Sequence, residues 1–190
     1  MDAVLQPIRR QPPVPNAMLG MLIFIVTEIM LFAGFISAFT ISKANAVFGT
    51  WPPPGQPMLP AQSTAFNTAV LLVSGALLVV AFNRFRKGAS AVGLYLSAFV
   101  LGAAFVALQG REWVALLAQG LTLSSSTLGS FFYLIVGLHA LHVMACIIAM
   151  GVGMVRLLKG KLSSEFFQAT LAFWMFVVAA WPVIYFRVYF

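Results

Sequence analysis

The stretch that most restricts how this chain can fold is residues 129–155, GSFFYLIVGLHALHVMACIIAMGVGMV. It stays apolar for longer than a bilayer is thick, since about 20 helical residues at roughly 1.5 Å each cross the hydrocarbon. Near its middle stand His139 and His142. Three residues apart, they share one face of a helix, and polar side chains at that depth call for a packed protein interior to receive them.

The rest of the chain repeats the pattern without the histidines. Of its 190 residues 62% are hydrophobic and 8% charged, far from the balance of a soluble domain. The apolar runs are unbroken and rich in Leu, Ala, Val and Phe rather than alternating in segments of about ten residues, which excludes a transmembrane β-barrel. The sequence therefore predicts an all-α, polytopic membrane bundle of five transmembrane helices, at about 17–42, 64–85, 89–109, 129–155 and 166–186. Residues 1–16 read as a polar tail bearing Pro7, Pro12, Pro13 and Pro15, and residues 17–190 as one membrane domain. Arg9 and Arg10 precede a segment that is too long for a signal peptide and carries Glu28, so it reads as a retained helix.

The formal net charge is +7, but the basic residues are spread over several loops. That distribution points to orientation in a membrane rather than to nucleic-acid binding. Arg9, Arg10, Arg84, Arg86, Lys87, Arg156, Lys159 and Lys161 fall on one side, against Lys43, Arg111 and Arg187 on the other. By the positive-inside rule the N-terminus is expected to be cytoplasmic and the C-terminus periplasmic.

Between the spans, WPPPGQPMLP reads as a stiff extended loop, with Trp51 suited to the membrane interface. Gly93, Ser97, Ala98 and Gly102 give the third helix small residues for close packing. Arg111, Glu112 and Trp113 read as the start of the next loop, with Arg111 and Glu112 as an interfacial anchor. Pro182 falls within the last helix.

The chemistry available is narrow. Cys146 is the only cysteine, which rules out an intrachain disulfide or a thiolate cluster and leaves a small buried side chain. A di-iron carboxylate bundle needs paired Glu-x-x-His motifs, and there are none. A haem held by two histidines needs them on opposite sides of the macrocycle, whereas His139 and His142 share a face. No catalytic, cofactor-binding or metal-ligating residue is thus assigned. Glu28 enters about 11 residues into the first span, roughly 16 Å deep. Helices one and four run in opposite directions, and Glu28 and His139 come at similar depth. Glu28, His139 and His142 are therefore expected to form a buried polar cluster or a contact with a partner subunit. One acidic group well inside a span is too few for a proton wire across about 30 Å of hydrocarbon.

TEIMLFAGF around Glu28, FNTAVLLVSG in helix two, the LG, F, Q and EW positions from Leu101 to Trp113, and GSFFYLIVGLHALHV occur together and in order. In this the chain resembles cytochrome c oxidase subunit III, in the short five-helix bacterial form of the haem-copper oxidases. The resemblance implies a noncatalytic core subunit of a respiratory terminal oxidase in the bacterial cytoplasmic membrane, supporting assembly, lipid binding and proton uptake. It implies no cofactor here beyond bound phospholipid, with haem and copper in partner subunits I and II. A small subunit IV and a larger respiratory assembly are further expected partners. Glu28, His139 and His142 match the family's intramembrane Glu and its His pair. Where the family carries a His and an Asp in the last helix, this chain has Met175 and Val178. The alternatives are an accessory subunit of nitric oxide reductase, a quinol oxidase subunit III and, in another class, a small stand-alone transporter or channel.

Overall fold

The computed structural model describes residues 16–46, 51–53 and 55–190. Residues 1–15 of the expected N-terminal tail and part of the WPPPGQPMLP loop fall outside them, while Asn16, read as the end of that tail, already belongs to the first helix. Five helices follow one another: α1 (Asn16–Ala44), α2 (Ala61–Arg86), α3 (Val92–Ala118), α4 (Thr127–Leu158) and α5 (Ser164–Tyr189). All five are long and apolar enough to cross a membrane, and no strand occurs among the described residues. The chain is an all-α integral membrane protein. Helices are the form such segments must take, because hydrocarbon offers the backbone no hydrogen-bond partner and a helix satisfies its own.

The third helix corrects the sequence reading. It does not end at residue 109 before a loop but runs on to Ala118, so Arg111, Glu112 and Trp113 are helical. Nothing in this stretch breaks a helix, and Gly110 alone does not suffice. The stop comes at Gly120, whose φ of 88° is left-handed. There Leu121 N–H reaches the Leu116 carbonyl at 3.0 Å and Gly120 N–H the Leu117 carbonyl at 3.0 Å, the paired bonds of a Schellman cap. The same arrangement closes α2 at Gly88 and α4 at Gly160. Two serines start the next helices, Ser126 Oγ accepting from Gly129 N–H at 3.0 Å and Ser163 Oγ from Phe166 N–H at 3.2 Å.

α5 is the centre of the bundle and packs against α1, α2 and α4, while α3 lies against α2 and α4. Trp174, Val177, Trp181 and Ile184 of α5 are fully buried. α5 continues as helix through Pro182. α1 is peripheral: only Phe32 and Phe39 are buried, and Ile23, Val26, Ile29 and Met30 face outward. Its last turn is fixed by Lys43, which donates to the Phe190 carbonyl, and by Trp51, whose ring lies 5.5 Å from that of Phe39.

Only part of the small-residue pattern in α3 makes contacts. Ala98 and Gly102 are buried, with Ser74 Oγ donating to the Ala98 carbonyl at 2.7 Å and the Trp174 ring seated on Gly102. Gly93 and Ser97, one turn apart on another face, are exposed. A Cβ at Gly102 would come within 2.8 Å of the Trp174 ring and 2.9 Å of Ile147, whereas one at Gly93 would meet nothing within 4 Å. Gly102→Ala should therefore cost about 1–3 kcal/mol through overpacking, read as a lower Tm of the purified protein in mild detergent. Gly93→Ala should leave the Tm unchanged or raise it slightly, because alanine is the better helix former by about 1 kcal/mol. Equal losses in the two variants would mean that the packed face has been misassigned.

Candidate functional site

Two carboxylates anchor the polar interior, and they sit in different surroundings. Glu28 of α1 meets α4 at His142, with Oε2 2.9 Å from Nε2 and the two side chains only 14% and 10% exposed. His139 is not its partner, so of the two contacts open to Glu28 the fold uses the one to His142. The other ring nitrogen of His142, Nδ1, is 2.7 Å from the Leu138 carbonyl. A carbonyl can only accept, so Nδ1 carries a proton and donates it. The short Nε2 to Oε2 contact then holds one further proton, either on the ring as imidazolium or on the carboxyl. Without that proton Oε2 is a buried oxygen lacking any donor.

Aromatic rings enclose this pair. Phe24 and Phe32 lie one helical turn either side of Glu28, with centroids 6.2 and 5.5 Å from the His142 ring. From α5, Phe173 and Phe176 approach to 6.2 and 6.3 Å. Such a wall excludes water and keeps the local dielectric low, which strengthens the paired contact and penalises its loss. His139, one turn away, stacks on Trp181 at 4.9 Å, and its Nε2 is buried with no partner. Trp181 Nε1 in turn donates to Thr68 Oγ1 at 2.9 Å, tying α5 to α2.

Glu112 makes the second group, nearer the end of the bundle where α2 begins and α3 finishes. Asn67 Nδ2 donates to its Oε1 at 3.0 Å, and Gln109 Nε2 donates to its Oε2 at 3.2 Å. Thr64 Oγ1 lies 2.7 Å from Oε2 and 2.9 Å from the Pro60 carbonyl, two acceptors for a single hydroxyl proton. Gln109 Nε2 also reaches Tyr189 Oη at 3.1 Å. Neutral donors from α2 and α3 thus hold a carboxylate close to the positive N-terminal end of α2. Arg111, expected beside Glu112 at the interface, is exposed and takes no part in this network.

The sequence reading named Glu112 but not Thr64, Asn67 or Tyr189. A signal existed: Thr64 and Asn67 are three apart, hence on one helical face, and with Thr68 they carry polar groups into the second apolar span. Cys146 is fully buried, as expected. Met175 is 36% exposed, and Val178 is buried against Gly75, so apolar contacts stand where the resemblance placed a His and an Asp. Among the described residues no group of three or more His, Cys, Asp or Glu side chains is arranged to hold a metal ion.

Known proteins resemble this chain over most of its length. The family model described as cytochrome c oxidase subunit III matches residues 11–190. A cytochrome c oxidase subunit 3 from Formosania lacustris is 32% identical over 188 residues, covering 94% of this chain and 71% of the relative. Those of Scyliorhinus canicula and Allomyces macrogynus are 31% and 34% identical, over 94% and 90% of this chain and 71% and 65% of the relatives. With nearly its whole length matched, the chain belongs to the cytochrome c oxidase subunit III family, whose members are subunits of a membrane oxidoreductase complex.

Proposed function

We propose that this chain is the noncatalytic core subunit III of a respiratory haem-copper oxidase, and that it acts through assembly, lipid contact and support of proton uptake by the catalytic subunit. The observation that carries this reading is the family match over residues 11–190, on a chain whose buried acid and histidine are spent on each other across two helices. Haem and copper belong, in this proposal, to subunits I and II, with a small subunit IV and a larger respiratory assembly as further partners. The short-form resemblance supports a bacterial cytoplasmic membrane.

Orientation follows from charge. Arg84, Arg86, Lys87, Arg156, Lys159 and Lys161 gather where α2 and α4 end, against Lys43, Arg111 and Arg187 at the opposite end. The first end is cytoplasmic in this proposal, which puts Glu112 toward the periplasm. Phospholipid is expected along α1, whose outward Leu19, Ile23, Val26 and Met30 need apolar cover, with either acyl chains or a neighbouring subunit supplying it.

Purification from native membranes tests the assignment, the expected result being co-purification with haem-bearing oxidase chains. A haem-free homo-oligomer that moves a solute in liposomes would contradict it. Glu28 tests the role. Glu28→Ala leaves His142 unpaired in a dry interior, at a cost of about 1–3 kcal/mol. Assembly should weaken, while complexes that do form keep most of their initial oxygen consumption and lose activity faster during turnover. Glu28→Gln should be milder, since an amide still bonds the ring. Haem content, initial rate and its decay are the readouts. Loss of initial turnover in an assembled, haem-replete Glu28→Gln complex would show instead that Glu28 must ionise for function.

A further inference from the structure

Two opposite charges stand next to each other in α3 with no charged partner. Arg111 is exposed and makes no hydrogen bond or ion pair among the described residues, whose one ion pair is Glu28 with His142. Glu112 meets only the neutral side chains of Thr64, Asn67 and Gln109. Consecutive residues of a helix do not face each other, so the two charges are not spent on one another. Both nevertheless line one cavity of about 520 Å³, between the end of α3 and the start of α2. That volume is within the range of about 300–1,000 Å³ usual for small-molecule sites.

The cavity lies at the depth of lipid headgroups. α3 has 27 residues and is about 40 Å long, against about 30 Å of hydrocarbon. Arg111 and Glu112 come within about two turns of its end, and Ser63 and Asn67 within about two turns of the start of α2. Trp51, Trp113, Tyr133 and Tyr189 gather at the same end of the bundle, as aromatic residues do at a membrane interface. The wall is mixed as a lipid is mixed. Ser63, Asn67, Arg111 and Glu112 supply polar groups, while Phe66, Leu108 and Ala115 are apolar. Phe66 is 65% exposed, so its ring is open to acyl chains.

The side chains also select among headgroups. A phosphate matches Arg111, because a guanidinium binds phosphate oxygens in pairs. A primary ammonium matches the other side of the cavity. Glu112 Oε1 accepts one bond, from Asn67, and has an acceptor site to spare. Ser63 Oγ gives its own proton to the Pro60 carbonyl at 3.2 Å and can itself accept. An ammonium brings three donors to such acceptors. Choline carries the positive charge without an N–H, and a glycerol headgroup carries no positive charge to set against Glu112.

We propose that the cavity between α2 and α3 holds the zwitterionic headgroup of phosphatidylethanolamine, its phosphate on Arg111 and its ammonium on Glu112 and Ser63. This rests on the lipid contact proposed above, and adds to it a headgroup and a place distinct from the outward face of α1.

The test uses the full chain purified from native membranes in mild detergent, with the subunits it retains. It is offered equal amounts of phosphatidylethanolamine, phosphatidylcholine and phosphatidylglycerol of one acyl composition, and native mass spectrometry counts the lipid bound. The ethanolamine lipid should be retained several-fold over the other two. Glu112→Gln should erase that preference while phospholipid stays bound. Glu112 also ties α3 to α2, so Arg111→Gln serves as the variant with no internal contact to lose. It should lower retention of the ethanolamine lipid several-fold, and Arg111→Lys should restore part of it. Glycerophosphoethanolamine, the same headgroup without acyl chains, should not compete at equal concentration. Competition by it would make the ligand a soluble phosphoamine and overturn the lipid assignment. Equal retention of the three lipids, or retention unchanged in both Arg111→Gln and Glu112→Gln, would overturn this site and leave the lipid contact of α1 standing. A chain that retains no lipid at all would overturn both.

Discussion

Hydrocarbon cannot satisfy a hydrogen bond, and that single constraint accounts for which helices of this protein touch where. Apolar side chains gain little by leaving lipid for protein, so leucine and phenylalanine alone do not choose partners inside a membrane. Polar groups and close backbone approaches do. Glu28 and His142 join α1 to α4, Glu112 joins α3 to Thr64 and Asn67 of α2, and Trp181 with Thr68 joins α5 to α2. Tyr95 Oη, donating to the Met150 carbonyl at 3.0 Å, joins α3 to α4 over the bare face of Gly153. α1 depends on this most, because its apolar surface is largely turned outward and its one deep ionisable side chain is Glu28.

The two glutamates show how the same carboxylate serves different ends. Side chains of Thr64, Asn67 and Gln109 surround Glu112, near the start of α2. Glu28 has a single histidine and a ring of phenylalanines, and its contact is good only while one proton lies between oxygen and nitrogen. The pair is made between two helices, and it meets α4 from a helix that is otherwise peripheral. Such a contact suits a family whose members serve as subunits of a larger complex.

Much of this was legible in the amino-acid order. Five apolar runs gave the five spans, and the depth of Glu28 against the histidine helix placed an acid beside an imidazole. What the order could not say was which histidine. That depends on the rotation of α1 about its axis, which is set by Phe24 and Phe32 packing around the His142 ring. The end of α3 was misread because hydropathy falls at Arg111 and Glu112, marking where a chain approaches water; the helix itself ends only where Gly120 turns left-handed. Likewise two pairs of small residues in α3 look alike in sequence. The bulk of Trp174, far along the chain, decides that Ala98 and Gly102 are the pair that packs.

The claim that Glu28 and His142 hold α1 to the bundle as one unit is tested most directly by a double-mutant cycle. Unfolding free energies would be compared in mild detergent for the wild type, Glu28→Ala, His142→Ala and the double variant. A shared proton contact in a dry surrounding predicts that the double variant loses far less than the sum of the single losses, with a coupling of about 1–3 kcal/mol. Losses that add to within about 0.5 kcal/mol would mean that the two side chains act independently, and that something else seats α1.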